Sequence, residues 1–155
     1  MSDQHRRISE SYLPAGLPAP ASSRDGLEVP YWDAAREHVL VAQRCGGCRG
    51  WQWGPEWICH RCHSFEMQWE TPPLPGRLFA WTRARHPVHP SLLEHGPYIA
   101  CIVELPDAAG IRMVGNLLGD PEQPLAIGQP LTPVFEDHMG TNVSYTLVQW
   151  RTTDS

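Results

Sequence analysis

At 155 residues, 41% of them apolar, the chain can bury one real core with a small satellite module, and two large domains do not fit. No apolar run approaches the roughly 20 residues of a membrane span, and a formal charge of -5 disfavours nucleic acid, which is bound largely by neutralising its phosphates. All twelve basic residues are arginine, so Schiff-base chemistry, a P-loop lysine and a lysine general base are excluded, while arginine's planar fork remains available for phosphate or carboxylate.

Residues 1–28 are polar and rich in Pro, Ala and Ser, a composition that cannot bury enough apolar area to offset its ordering entropy, so a loose arm is predicted. Its opening, MSDQHRRISESYLPAG, carries no apolar h-region of a secretory signal, which predicts a cytoplasmic protein. From Pro30, PYWDAAREH reads as a short helix over 30–38, with proline in the first turn and Tyr31, Trp32, Ala35 and His38 at three-to-four spacing. VLVAQR (39–44) then turns β-rich and leads into Cys45.

Residues 45–63, CGGCRGWQWGPEWICHRCH, hold four of the five cysteines as two C-x-x-C pairs ten residues apart. Each pair on a tight turn presents two thiolates while turn amides point at the sulfurs, and a hairpin between the pairs closes a tetrahedron. Cys45, Cys48, Cys59 and Cys62 are therefore predicted to hold a structural zinc, a site with no open position for Lewis-acid catalysis. Thiolates also hold iron, and spacing alone leaves that open. C-H-R-C-H matches a haem-attachment pattern, but haem would leave Cys45 and Cys48 unexplained. His60 and His63 are superfluous as ligands, and His63 takes a turn position often filled by glycine. Trp51, Trp53, Trp57 and Trp69 crowd the same module; most should pack over the site or the barrel, and an exposed one or two would make an interface anchor.

SFEMQWE predicts a returning strand, and PPLPG (72–76) a boundary. The module beyond it reads as five strands, at 77–85, 97–105, 110–118, 129–137 and 141–150, most simply an OB-fold Greek-key barrel. The fold class is thus mainly β: an arm (1–28), a helix plus rubredoxin-like zinc ribbon (29–71), a five-stranded OB-fold barrel (72–151) and a tail (152–155).

No nucleophile elbow or catalytic cysteine signature is visible. Cys101, mid-strand, reads as a small buried hydrophobe. His86, His89 and His95 fall on the long loop 86–96, where a proton-transfer or metal site competes with a rigid surface loop favoured by the flanking prolines. Glu104 and Glu136 read as strand-end charges. Arg83, Arg85 and Arg112 could meet on one barrel face, as a phosphate cradle or as solvated surface.

The combination of LVAQRCGGC, GPEWICHRCHS, GRLFAWT, PYIACIVEL and AIGQPLTPVFED, over residues 30–151, resembles the zinc-ribbon plus OB-fold proteins of the domain-of-unknown-function-35 family. That resemblance implies a small accessory subunit, not catalytic alone, of an acyl-CoA aldolase or thiolase complex, including those that shorten steroid side chains. It implies a thiolase-fold partner carrying the catalytic groups, sometimes a MaoC-type hydratase, and a shared CoA thioester. The four cysteines match the family's metal ligands. Arg83, Arg85 and Arg112 are candidates for the CoA phosphates, and Trp51, Trp53, Trp57, His86, His89 and His95 for the partner interface. The rival readings are a single-stranded nucleic-acid binder, which acidity and missing lysines oppose, and a small stand-alone enzyme using the histidine loop.

Overall fold

The computed structural model describes residues 12–14, 17–86, 88–139 and 143–153. One helix, α1 (Val29–Arg36), precedes a three-stranded antiparallel sheet of β1 (Ala42–Cys45), β2 (Trp51–Gln52) and β3 (Met67–Glu70), in the order β2-β1-β3. A closed five-stranded barrel follows: β4 (Gly76–Ala84), β5 (Tyr98–Leu105), β6 (Ile111–Leu117), β7 (Pro130–His138) and β8 (Tyr145–Thr152). Its order is β4-β5-β6-β8-β7, closed by antiparallel pairing of Gly76 with Leu131 and Arg77 with Pro130. No helix among the described residues is long and apolar enough to cross a membrane.

With eight residues, α1 is too short to persist alone and is held by packing. Ala35 is buried, and the Tyr31 ring meets Trp53 edge-on at 5.1 Å. Pro30 sits in the first turn, and Arg36 pairs with Asp33. The helix stops at Arg36 and does not reach His38, because His38 adopts a left-handed φ of 59° and turns its Nε2 to Asp137 Oδ1 at 2.9 Å.

Strict alternation along β5 sends Ile99, Cys101, Val103 and Leu105 inward, where they meet Leu78, Leu117, Leu131, Phe135 and Trp150. Trp150 is fully buried, and two glycines make room in the layer around it. A Cβ on Gly115 would lie 2.8 Å from the Trp150 indole, and one on Gly76 only 2.4 Å from Val103 Cγ1. Leu40 and Ala42, at the entry to the ribbon, belong to this same core, so ribbon and barrel share one apolar interior.

Candidate metal centre and its surroundings

The two knuckles are built alike. In each, the N–H of the residue after the second cysteine closes on the first cysteine's carbonyl: Arg49 N to Cys45 O and His63 N to Cys59 O, both 3.0 Å. The first cysteine's N–H in turn reaches the next residue, Cys45 N to Gly50 O and Cys59 N to Ser64 O, both 2.9 Å. This closure puts Arg49 and His63 in the left-handed region, at φ 60° and 59°. His63 thus occupies a position glycine would take without strain. A β-branched residue there is penalised most: His63→Val should cost about 1–2 kcal/mol of unfolding free energy by urea titration, with zinc content unchanged.

The sulfurs of Cys45, Cys48, Cys59 and Cys62 all lie within 4.8 Å of one another, with Cys45 and Cys62 at 3.5 Å and Cys48 and Cys59 at 3.6 Å. A tetrahedron of thiolates around zinc has edges of about 3.8 Å, so the donor set fits the ion in number, type and spacing. Backbone N–H groups of Cys48 and Arg61 point at the sulfurs of Cys45 and Cys59, each at 3.4 Å. The Cys48 N–H holds the Cys45 thiol below the ordinary cysteine range, and those of Cys62 and Arg61 bring Cys59 to about 6. The Ser64 backbone pulls Cys62 the same way, but the Cys45 thiol, burial and the remaining two thiols outweigh it and push Cys62 up to about 11. Four sulfurs this close cannot ionise together without a cation; a divalent metal resolves the conflict. The cluster is a structural zinc site.

A buried amide network, not anticipated from the sequence, supports the hairpin between the knuckles. Gln43 and Gln52 face each other across β1 and β2, and Gln52 Nε2 donates to Gln43 Oε1 at 3.1 Å. Gln43 also binds the backbone N–H and carbonyl of Glu56, while Gln52 binds the Ile58 carbonyl and the His60 N–H. Both amides are thereby satisfied on both ends, as burial demands. The available signal was two glutamines at inward-facing positions of cross-strand neighbours.

The remaining candidates are dispersed. Trp51 and Trp53 pack against the common core, whereas Trp57 is 57% exposed and donates its indole N–H to Asp25. Arg83 donates to the carbonyls of Pro121 and Gln123, both at 2.7 Å, pinning the turn after β6, and stacks on Trp81. Arg85 pairs with Glu122 at 2.8 Å and is largely exposed. Arg112 pairs with Glu104 at 3.0 Å and lies over the Phe79 ring. Arg83 pairs across β5 with Ile99, and Arg112 with Glu104. That places them about five residues, or roughly 17 Å, apart, so the three arginines do not converge. On the long loop His86 is exposed, His89 caps a short 3-10 turn through Nδ1 to Ser91 N, and His95 meets the Tyr12 ring edge-on. Cys101 is buried, its thiol pushed up to about 12 by that burial.

Glu136 departs most from expectation. It is not a solvated strand-end charge but is fully buried, its Oε1 2.9 Å from His138 Nε2 and its Oε2 accepting from Gln149 Nε2 at 2.8 Å. Gln149 is itself fixed by Asn116 N–H at 2.8 Å, and His138 stacks on Tyr145 with centroids 4.7 Å apart.

A tetrathiolate ribbon joined through a shared core to a five-stranded barrel defines a class, the zinc-ribbon plus OB-fold proteins. Residues 32–68 match the model of the ChsH2 rubredoxin-like zinc ribbon domain, and residues 69–136 that of the ChsH2 C-terminal OB-fold domain. The chain belongs to the domain-of-unknown-function-35 family, with the domain pair of ChsH2. It is similar to a Thermomonospora curvata protein named a probable enoyl-CoA hydratase alpha subunit, 35% identical over 115 residues, which are 74% of this chain. The chain spans about a third of that relative, 34% of its length. Among solved structures it is similar to a chain of the Ltp2-ChsH2(DUF35) aldolase, with a TM-score of 0.72 and 29% identity, covering 86% of this chain and 98% of that one. A DUF35 protein of unknown function from Sulfolobus solfataricus shares the fold at 9% identity, TM-score 0.55, over 85% of this chain and 87% of that one.

Proposed function

We propose that this protein is a noncatalytic accessory subunit of a heteromeric acyl-CoA aldolase-type complex. The observation that carries the reading is the likeness to the chain of the Ltp2-ChsH2(DUF35) aldolase, which runs through both ribbon and barrel and leaves almost none of that chain unmatched. The hydratase name of the Thermomonospora curvata relative supports an acyl-CoA setting. In this reading a thiolase-fold subunit supplies the groups that make and break carbon–carbon bonds, in steroid side-chain or related acyl-CoA degradation in the cytoplasm. A MaoC-type hydratase joins the same assembly. Zinc stays structural, and the CoA thioester is a ligand shared with the partner. Of the three candidate arginines, Arg83 is committed to backbone carbonyls, while Arg85 and Arg112 hold the carboxylates of Glu122 and Glu104 and are the ones that would exchange these for a phosphate. Exposed Trp57 is the ribbon's anchor for the partner.

Co-expressed with a thiolase-fold aldolase, the protein is expected to co-elute with it, and native mass measurement should show both chains and zinc. The aldolase alone should lose most of its turnover of a CoA-thioester aldol. Separate elution, with the aldolase fully active by itself, overturns the reading.

A further inference from the structure

The barrel carries a buried carboxylate on its outside. Leu131, Phe135, Val148 and Trp150 of β7 and β8 pack in or against the core, so by strand alternation Val134, Glu136, His138 and Gln149 face the other way. Yet Glu136 is 0% exposed, and His138 and Gln149 are 8% and 3% exposed. Something covers this wall, and part of the cover comes from the segment before the helix. The backbone N–H of Leu13 donates to Glu136 Oε1 at 2.6 Å, across 123 residues of sequence. Beside it, the Tyr12 ring stands edge-on to His95 of the β4–β5 loop, centroids 5.4 Å apart and planes at 86°.

We propose that the outer wall of β7 and β8 around Glu136 is a binding site for a short, bent peptide segment, filled here in cis by residues 12–14. Its floor is prebuilt: His138 and Gln149 hold the carboxylate, Asn116 N–H holds Gln149, and one further donor is supplied by a main-chain amide. The ligand is Tyr12-Leu13-Pro14. Pro14 offers no N–H of its own, and of the two amides that remain it is Leu13's that reaches the carboxylate. Tyr12 sets the register. Leu17-Pro18 repeats the pair four residues on but follows glycine, with no ring to reach His95. Burial first, and then the charge of Glu136, raise the Tyr12 hydroxyl pKa, in keeping with a ring seated beside the carboxylate. The segment therefore ties β7 to the loop carrying His95, and an arm expected to be loose contains a specific anchor.

Hydrogen–deuterium exchange on the full-length protein tests this. In the unaltered chain, the amide of residue 13 should exchange well below the free-chain rate. Glu136→Gln keeps the shape but gives up the charge, and should speed exchange at residues 12–14 by about tenfold or more, the worth of a hydrogen bond to a charged acceptor. Tyr12→Ala, which cannot disturb the folding of the barrel strands, should do the same and also speed exchange at 91–96 while β4 to β6 stay protected. Free-chain exchange at residue 13 in the unaltered protein overturns the proposal. So does a Tyr12→Ala variant whose 91–96 amides are as protected as before.

Discussion

Cys59→Ser should strip the protein of zinc and open the ribbon while the barrel strands stay paired. The binding free energy of a structural zinc is about 10–16 kcal/mol, which matches or exceeds the roughly 5–15 kcal/mol that holds a whole domain together. The ribbon has little else of its own. Its sheet includes a two-residue strand, β2, and its hairpin hangs on the Gln43 and Gln52 amides, which are in place only while the knuckles close. A serine oxygen is a poor substitute for a soft thiolate, and three remaining sulfurs leave the tetrahedron open. Metal analysis should show stoichiometric zinc falling to near zero. Tryptophan emission should shift to the red as Trp51 and Trp53 leave the core they pack against. A variant that keeps its zinc, or loses it with emission unchanged, contradicts this account of what the cluster does.

Trp150→Ala should be the most damaging single change in the barrel, costing about 3–5 kcal/mol from the lost side chain and the cavity it leaves. The position is unusually sensitive because Trp150 is the largest fully buried side chain and also supplies the one residue pair joining β6 to β8, with Leu117. Its carbonyl also accepts from Leu118 N–H at 2.8 Å. Trp150→Phe should be far milder. Among the described residues the Trp150 indole nitrogen is a buried polar atom without a hydrogen-bond partner, and removing such a group recovers about 1–3 kcal/mol of desolvation cost against the packing lost. Urea denaturation of the three proteins gives the ordering directly: unaltered, then Phe close behind, then Ala well below. Equal losses for Phe and Ala would mean that a smaller ring restores none of the packing around this position, and would overturn the expected order.

What could be read from the chain alone was what short-range chemistry dictates. Two C-x-x-C pairs ten residues apart have few other uses, and the alternation of YIACIVEL fixes which side of β5 faces inward before any fold is known. The turn at His63 was likewise local, needing only the knuckle's closure. Three features were decided by distant contacts. Helix α1 ends early because His38 is drawn to Asp137, 99 residues on. The arginines look alike along their strands, but Arg83 is claimed by carbonyls of the turn after β6, and register separates Arg112 from it. Glu136 looked like a strand-end charge because its cover comes from the opposite end of the sequence. Composition leads to a loose arm over residues 1–28, of which 1–11, 15 and 16 lie outside the described residues, and it cannot reveal that the Leu13 amide reaches Glu136 on β7.

Leu40 and Ala42 reach into the same apolar interior as Trp150 and Leu78. Without a swivel between them, the sulfur-capped tip and the barrel form a set square of fixed angle. A second protein that touches both must match one spacing, and a mismatch at either foot cannot be absorbed by bending at the joint.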